Sequence, residues 1–407
     1  MSDSAIESGT LNRPGREDPR AIRAVLILAW GQAVLGAQLP IMMILGGLVG
    51  AMLAHDAAFA TLPITVAVVG SMIGAPLLSL FMGRFGRRPG FLLAALAGAL
   101  GAWVSLQGIY ERSFPLFLVG SALTGVYWSG HNLYRFAAAD MASAAFKPRA
   151  IAWTMAAGLI SAILGPEMVK IFGDWRAPVP HAGAYEAVIW LNLLGAIPLL
   201  FLNIPRPAPP PAGTRRPVGA ILRNPKVQVA MICAMATYGL MNLMMTATPL
   251  AMAACGFGTA AAAGVVQAHV LAMYAPSFFT GSLIARFGAH RVIATGLAAI
   301  AVCAVIAAAG IAIENFYIAL VLLGVGWNFG FIGATSLLAD AVAPEDRARA
   351  QGINDFAVMA FVVIASASSG VLLNFGGWEA VQIAIVPGLA LAGGALIWFT
   401  LREGRAA

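Results

Sequence analysis

The chain has 407 residues, of which 60% are hydrophobic and only 10% are charged. Soluble domains carry about 25% charged residues, so this composition excludes a water-soluble globule. A net charge of +7 would suit a nucleic-acid partner only if the cations shared one water-exposed surface. They are instead spread between apolar stretches, and we expect no nucleic-acid partner.

Apolar stretches of roughly 20 residues recur along the chain, each long enough to cross a hydrocarbon core of about 30 Å. They are continuously apolar, which is typical of helices and not of alternating barrel strands. The sequence therefore predicts an all-α integral membrane protein with twelve transmembrane helices. The predicted spans are 24–53, 62–82, 90–109, 115–139, 150–173, 184–203, 228–252, 260–283, 291–312, 316–340, 349–373 and 378–401.

Residues 1–23 form a polar tail without the apolar core of a cleavable signal peptide, so the first span is predicted to be an uncleaved anchor. If this tail is cytoplasmic, so are all of the 24 Lys and Arg except Arg112, Arg135, Lys170 and Arg176. Cytoplasmic loops are enriched in Lys and Arg. We therefore expect a multi-pass protein of the bacterial inner membrane, with both termini in the cytoplasm and the lipid bilayer as its surroundings.

The sequence repeats itself. S-L-F-M-G-R-F-G-R-R lies around residue 83, at the end of span two, and G-S-L-I-A-R-F-G-A-H-R lies around residue 285, at the end of span eight. Asp140 and Asp340, at the cytoplasmic ends of spans four and ten, are 200 residues apart. Such a repeat predicts two pseudo-symmetric six-helix halves that hold a substrate between them at mid-membrane and alternate its access. The predicted segments are the tail 1–23, the first half 24–203, a cytoplasmic Pro/Arg-rich linker 204–227, the second half 228–401 and a cytoplasmic tail 402–407.

The two R-F-G turns and the layout of six plus six helices resemble the major facilitator superfamily over essentially the whole chain. The resemblance implies a transporter and not an enzyme, and the absence of a G-x-x-x-x-G-K loop argues against ATP-driven transport. It also implies two cytoplasmic gate pairs, Arg84 with Asp140 and Arg286 with Asp340. The family's usual loop aspartate is Gly83 here and Ala285 in the repeat, which weakens the latch. Alternatively, the arginines anchor at lipid headgroups.

A cluster of soft metal ligands is predicted near the midplane of spans seven and eight. Met241 and Met245 share one helix face, as do His269 and Met273, because each pair is four residues apart. Thioethers select Cu(I), and imidazole suits copper. Neutral ligands are also less costly in a membrane than carboxylates. Alternatively, the methionines fill gaps in a packed core and the histidine only hydrogen-bonds a neighbour.

These two motifs, M-x-x-x-M followed by H-x-x-x-M, resemble those of the CcoA-type copper importers, which are relatives of riboflavin transporters. The resemblance implies copper import from periplasm to cytoplasm in support of cbb3-type cytochrome oxidase assembly, with Met241, Met245, His269 and Met273 as ligands. Copper would be the transported substrate, with no permanently bound cofactor. Cytoplasmic copper-handling proteins would be partners, and a monomer is expected. Whether Cu(I) or Cu(II) is taken up stays open.

The resemblance also implies a copper relay along span seven. Cys233 and Cys255 occupy positions of cysteines that matter in that family, toward the cytoplasm and the periplasmic mouth respectively, and Met231 and Met235 form a second M-x-x-x-M pair. Packing is the alternative for all four residues, since free cysteine and methionine both behave as apolar side chains. Together with Cys303, the cysteines are too few for a disulfide framework.

Ionisable residues inside the predicted spans are candidates for proton coupling. They are His131, Glu167 and Asp355. The alternative for Glu167 is an ion pair with Lys170.

Two other functions fit the same architecture. One is an uptake carrier for an organic nutrient such as riboflavin, whose pocket would be lined by Trp128, Asn132, Tyr134, Arg135 and Trp327. The other is a membrane protein that binds copper for assembly without transporting it.

Overall fold

The computed structural model describes residues 18–143, 146–204 and 217–406. Within these ranges the regular structure is entirely helical. Most of the predicted N-terminal tail, the middle of the predicted linker (205–216) and residue 407 lie outside the described residues. The first helix begins at Pro19, five residues before the predicted span.

The described part of the first half contains nine α-helices and three short 3-10 helices. The α-helices are α1 (Pro19–Val34), α2 (Gln38–Leu53), α3 (Leu62–Phe85), α4 (Arg87–Tyr110), α5 (Phe114–His131), α6 (Tyr134–Met141), α7 (Lys147–Ala156), α8 (Gly158–Phe172) and α9 (Ala182–Gly195). The 3-10 helices are Leu35–Ala37, Ala57–Phe59 and Ile197–Phe201.

From residue 217 to residue 406 the structure has eight α-helices and one 3-10 helix. The α-helices are α10 (Val218–Leu222), α11 (Pro225–Ala254), α12 (Thr259–Tyr274), α13 (Ser277–Phe287), α14 (Ala289–Ala308), α15 (Ile313–Ala341), α16 (Arg347–Ile383) and α17 (Ile385–Ala406). The 3-10 helix is Pro344–Asp346. The short helix α10 lies inside the predicted linker.

Nine helices in the described ranges are long and apolar enough to cross a membrane, or ten when the pair α12 and α13, bent by 43°, is counted as one. The stretch Arg349–Arg402 has 54 residues, which is about 80 Å of helix. A hydrocarbon core is about 30 Å thick, so this stretch holds two crossings, with a backbone bend at Gly377. The predicted span 115–139 is divided into α5 and α6. Together these account for the twelve predicted spans and confirm the all-α fold.

The two R-F-G turns of the repeat have the same backbone conformation. Gly86 ends α3 with a φ of 98°, and Gly288 ends α13 with a φ of 83°. Each glycine N–H donates to the carbonyl four residues back, Met82 O at 2.8 Å and Ile284 O at 2.9 Å. Only glycine adopts this left-handed conformation without strain, so the sequence similarity of the two turns reflects a shared chain reversal.

The first span is interrupted at mid-length by the 3-10 segment Leu35–Ala37. Gly36 sits at this break because a Cβ there would lie 2.9 Å from His131 Nε2 and 3.2 Å from Ser161 Oγ. The break separates α1 from α2, and buried Gln32 and Gln38 flank it. A 3-10 stretch inside a longer helix often marks a hinge or strain.

The main packing between the halves lies at one end of the molecule. There α2 packs against α11 and α12, α8 packs against α12, and α3 and the 57–59 turn pack against α16. The other ends of the same spans, nearer the chain termini, are formed by α1, α7 and α13. In the described part of the chain these three helices are not part of this main packing. We name the packed end, opposite the termini, the closed end, and the other the open end.

Candidate functional site

Hydrogen bonds between α3 and α16 join the two halves at the closed end. Thr61 Oγ1 donates to Ser366 O at 3.0 Å, and Thr65 Oγ1 donates to Ser366 Oγ at 3.0 Å. Gly370 N donates to Thr61 Oγ1 at 3.1 Å. All four residues are buried, so these bonds form away from water, where an unpaired hydroxyl is costly.

A second polar contact between the halves involves Glu167 and Lys170. Lys170 Nζ donates to Glu167 Oε1 at 2.7 Å on the same helix and to Gln267 Oε1 at 3.1 Å on α12 of the other half. The ion pair named as the alternative for Glu167 is therefore present. Proton coupling through Glu167 stays a prediction.

The four residues predicted to bind copper are all buried. Met241 and Met245 lie on α11 with 3% and 5% exposure, and His269 and Met273 lie on α12 with 0% and 7%. Helices α11 and α12 pack against each other, and both pack against α15. The structure thus places two thioethers on one side of a helix contact, and one thioether and one imidazole on the other. Copper binding by these residues stays a prediction.

The imidazole of His269 is held in one tautomer. Its Nδ1 lies 2.8 Å from Leu320 O, and because a carbonyl only accepts, Nδ1 carries the proton. Nε2 is buried and has no hydrogen-bond partner. Metal-ligating histidines commonly donate their other ring N–H to a carbonyl in this way. The described residues contain no group of three His, Cys, Asp or Glu that could hold a metal ion, so copper would depend on the thioethers.

The predicted relay residues are spread along α11. Cys255 is half-buried at the closed-end terminus of the helix, whereas Cys233 is buried, with its Sγ 3.9 Å from Ala392 O. The two are 22 residues apart, about 33 Å along the helix. Met231 and Met235 are half-buried and pack against the core. The cysteines thus lie toward opposite ends of the span, and relay of copper between them stays a prediction.

Aromatic residues of the second half form a stacked group. The rings of Trp327 and Phe331 are stacked with centroids 5.4 Å apart and an angle of 15°. Tyr238 meets both rings edge-on, at 5.5 Å and 5.1 Å. Trp327 Nε1 is buried without a hydrogen-bond partner. A flat aromatic surface with a free donor can accept a flat polar ligand.

Charged residues of both halves lie within electrostatic reach of this aromatic group. Arg135 of α6 and Asp355 of α16 both act electrostatically on the Tyr238 hydroxyl, as does Tyr274 of α12. Arg135 also acts on Asp355. We name the group formed by Arg135, Tyr238, Tyr274, Trp327 and Asp355 the central chamber. Tyr238 and Tyr274 were not predicted, although a tyrosine inside an apolar span signals a hydroxyl that needs a polar partner.

The two charged groups of the chamber have different surroundings. Arg135 is exposed, and its guanidinium lies 4.8 Å from the Phe136 ring centroid. Asp355 is half-buried, and its Oδ1 accepts from Gln351 Nε2 at 2.6 Å and from Asn354 Nδ2 at 3.4 Å. Arg135 and Asp355 do not form a direct ion pair with each other.

The predicted nutrient pocket is only partly brought together. Arg135 and Trp327 border the chamber, and Asn132 is exposed nearby in sequence. Tyr134 was wrongly expected to line a pocket. Its side chain is fully buried inside the first half, with its ring 4.8 Å from that of Phe91, because α6 restarts there with its first residue turned toward α1 and α4. Trp128 is 8% exposed and its Nε1 has no partner.

His131 lies inside the first half and not at the contact between the halves. It is buried, hydrogen-bonds the backbone of Gln32 and leaves Nε2 without a partner. Its role in proton coupling stays a prediction.

The predicted ion pair between Arg84 and Asp140 is wrong, because the arginine that pairs with Asp140 is Arg87. Asp140 accepts from Arg87 Nη2 at 2.8 Å and from Arg87 Nε at 3.1 Å. Arg84 instead lies over the Phe85 ring, 5.5 Å from its centroid. The left-handed turn at Gly86 brings Arg87 to the start of α4, which packs along α5 toward Asp140.

The second gate pair differs from its prediction as well. Arg286 lies over the Phe287 ring at 5.2 Å, and no ion pair joins it to Asp340 in the described part of the chain. A gating role for these four residues stays a prediction.

A separate cavity of about 490 Å³ lies between α11 and α16, with Ala384, at the junction of α16 and α17, in its wall. Its walls include Gly239, Leu243 and Phe361, and Ile364 at its rim is 60% exposed. This groove is apolar, and none of the residues of the central chamber lines it.

Comparison with known proteins defines the class to which this fold and chamber belong. The sequence model of the Major Facilitator Superfamily matches residues 231–407. The riboflavin transporter RfnT of Brucella anthropi is 42% identical over 375 residues, covering 91% of this chain and 94% of the relative. The MFS-type transporter YddS of Bacillus subtilis is 29% identical over 404 residues, covering 92% and 90%. The chain belongs to the major facilitator superfamily of membrane transporters and is not an enzyme.

Solved structures support the same fold. A crystal structure of the nucleoside transporter NupG superposes with a TM-score of 0.69 at 16% identity, covering 93% of this chain and 99% of that one. A likeness at this identity concerns the fold alone.

Proposed function

We propose that this transporter takes up a planar heteroaromatic nutrient of the riboflavin class. The observation that carries the proposal is the aromatic group of Trp327, Phe331 and Tyr238 in the central chamber, with Arg135 of the other half within electrostatic reach of Tyr238. The 42% identity to a riboflavin transporter supports the same substrate class.

The chemistry of the chamber suits such a substrate. Riboflavin joins a flat three-ring system to a polyol chain. Offset stacking and edge contacts with aromatic side chains favour the flat rings, and the Trp327–Phe331 stack offers such a surface. Hydrogen-bond donors and acceptors around this stack can bind the edge of the riboflavin ring system and the hydroxyl groups of its polyol chain. A site between two halves is where transporters of this architecture hold their substrates.

We further propose the orientation that uptake requires. Both termini lie in the cytoplasm of a bacterial inner-membrane protein, because the open end carries most of the Lys and Arg. In this orientation the closed end, with Thr61, Ser366 and Lys170, lies on the periplasmic side, and the open end lies on the cytoplasmic side. The monomer is the transporting unit.

Uptake of radiolabelled riboflavin tests the proposal, in cells that can neither make nor import the vitamin. Wild type and the loop variant Arg112→Ala should accumulate label, whereas Trp327→Ala and Arg135→Gln, at equal membrane levels, should lose most of the uptake. Wild-type protein that inserts normally but gives no more uptake than empty cells would overturn the proposal.

Copper import is the second candidate function. It is favoured by the free, buried Nε2 of His269 on a helix that packs beside Met241 and Met245. The resemblance to CcoA-type importers supports the same four ligands, with the copper passed on to cytoplasmic copper-handling proteins for cbb3-type oxidase assembly. Thioethers favour Cu(I) at this site.

Radioactive copper uptake separates the two candidates. Met241→Leu and Met273→Leu remove the thioether at nearly constant volume, and Met168→Leu, a buried methionine of α8, is the matched control. Loss of copper uptake in the first two only would establish a copper carrier. Equal copper uptake in empty and transformed cells would exclude it. Copper bound by purified protein without flux in vesicles would indicate the non-transporting assembly factor.

A further inference from the structure

The apolar groove between α11 and α16 has the size and the walls of a binding site. Its volume of about 490 Å³ lies in the range of small-molecule pockets. Among the described residues that line it, only Ser368 has a polar side chain. Gly239 shapes the groove, because a Cβ there would overlap the ring of Phe361, which lies against α11. The groove therefore offers a ligand van der Waals contact and no charge.

The groove lies near the middle of both helices that form it. Gly239 is the fifteenth of the 30 residues of α11, roughly 21 Å from either end of the helix. Phe361 lies near the middle of the part of α16 that precedes the backbone bend at Gly377. Both helices are long and apolar enough to cross a membrane, so the groove lies close to the centre of the bilayer.

The rim of the groove lies on the side of α16 that faces away from the first half. Ser366 of α16 accepts a hydrogen bond from Thr61 of the first half. Ile364, in the wall of the groove, is two residues away, about 200° around the helix, and is exposed. Phe356 and Phe375, eight residues before and eleven after Ile364, share its face and are also exposed. An exposed apolar stripe opposite the contact with the first half faces lipid.

Hydrocarbon is the filling that suits an apolar space at this depth. An ordered water needs about two to four polar partners, whereas the walls offer the single hydroxyl of Ser368. An empty space would deprive the wall atoms of dispersion contacts on one side. A helix of a second copy is about 10 Å across with its side chains, too wide to enter between two neighbouring helices. A single acyl chain is narrow enough, and its terminal part lies at the centre of the bilayer.

We propose that this groove binds the terminal part of one phospholipid acyl chain from the surrounding bilayer. The chain packs against Leu243 and Phe361 and so adds to the contact between α11 and α16. These two helices carry Tyr238 of the central chamber and Ser366 of the closed end, so the bound chain lies between elements that both serve transport. The lipid site goes beyond the proposed function and does not depend on the identity of the transported substrate.

Photolabelling of the wild-type protein in proteoliposomes tests the proposal. One probe is a phosphatidylcholine with a diazirine at the terminal end of an acyl chain, and the matched probe carries the diazirine beside the glycerol. Leu243 lines the groove and is otherwise buried. Mass spectrometry should therefore find intact phospholipid attached to Leu243 with the first probe only. Phe375, exposed near the end of the same crossing, is the positive control for the second probe.

Two variants test whether the chain enters through the exposed rim. Ala367→Phe adds a ring at the rim, and Ala298→Phe adds the same ring at an exposed position in the middle of α14. At equal membrane levels, labelling of Leu243 should fall to background in Ala367→Phe and stay at the wild-type level in Ala298→Phe.

The wild-type comparison of the two probes does not depend on any variant. Absence of label on Leu243 in wild type, or equal labelling of Leu243 in the two variants, would overturn the proposal. Disulfide formation between copies that carry Ile364→Cys, in a background without native cysteines and with Leu243 unlabelled, would show instead that a second copy covers the groove.

Discussion

Thr61 and Ser366 lie on opposite halves of the transporter and are joined by a buried hydrogen bond of 3.0 Å from Thr61 Oγ1 to Ser366 O. The same hydroxyl accepts from Gly370 N. Both hydrogen bonds must break when the closed end opens, so they contribute to the free-energy difference between the two access states.

Loss of the Thr61 hydroxyl should therefore favour opening of this end. Thr61→Val removes two hydrogen bonds between the halves, each of which contributes about 1 kcal/mol. A change of about 1 kcal/mol alters the ratio of the two access states roughly fivefold. Thiol labelling of a cysteine placed in the 57–59 turn, in a background without native cysteines, should rise. Thr335→Val, which loses only a bond within its own helix, is the control. Unchanged labelling in Thr61→Val would show that these bonds do not hold the end closed.

The ion pair of Asp140 should depend on Arg87 and not on Arg84. The two side chains are 13% and 36% exposed, so solvent screening limits the coupling to roughly 0.2–1 kcal/mol. A double-mutant cycle of Asp140→Asn with Arg87→Gln, read by thermal unfolding in detergent, should show this coupling. The cycle with Arg84→Gln should show none, and the reverse pattern would restore the pairing predicted from the sequence.

Asn328 should be a strong determinant of stability because it fixes the bend between α12 and α13. Its Nδ2 donates to Met273 O at 2.6 Å and to Ser277 Oγ at 2.7 Å, and its Oδ1 accepts from Thr280. Replacement by leucine leaves these buried partners unsatisfied, at about 1–3 kcal/mol.

The midpoint of thermal unfolding should accordingly fall more in Asn328→Leu than in Asn315→Leu. Asn315 makes a single bond, to Ile306 O, from a half-buried position. Equal midpoints would mean that the bend is held by packing alone.

Gly125 should not tolerate a methyl group. A Cβ there would overlap Ala67 O, where α5 crosses α3, whereas a Cβ at Gly393 on α17 meets nothing within 4 Å. Close backbone contact through small residues is how membrane helices pack. Gly125→Ala should lower expression and melting temperature, and Gly393→Ala should leave both unchanged or slightly raised, since alanine is the better helix former. Similar results for the two would contradict the close crossing.

Acidification should destabilise the loop before α9 through His181. Burial lowers the pKa of His181 below its ordinary 6.5, with Asp174 opposing the shift. The unfolded chain then binds the proton more readily than the folded one, so stability is lost as pH falls below about 6.5.

Asparagine is the matched replacement for His181, because it tolerates the left-handed conformation found there, with a φ of 67°. Melting temperature measured between about pH 7.5 and about pH 5.5 should fall less in His181→Asn than in wild type. Parallel curves for the two proteins would assign the acid sensitivity to other groups.

The sequence was sufficient for the helical architecture, because apolar length and repeated turns are local properties. It failed where a side chain's direction depends on a neighbouring turn. Arg84 and Arg87 look equivalent in R-F-G-R-R, and only the conformation of Gly86 decides which of them reaches Asp140. Tyr134 was misplaced for a similar reason, since the interruption between α5 and α6 rotates the chain.

The candidate site was predicted less completely than the fold. Arg135, Trp327 and Asp355 were identified individually, as polar or aromatic residues inside apolar spans. That they border one chamber with Tyr238 and Tyr274 depends on packing between the halves, which no single stretch of sequence encodes.

The interruption at Leu35–Ala37 has a mechanical consequence. Only α2, on the closed-end side of the break, packs against the second half, whereas α1 packs within its own half. A force that acts on the contact between the halves therefore reaches the first half through the joint at Leu35–Ala37 and not along one continuous helix. Tilting of α2 can begin at this joint while α1 and the helices around it stay in place, so reorientation of the transporter can proceed in stages.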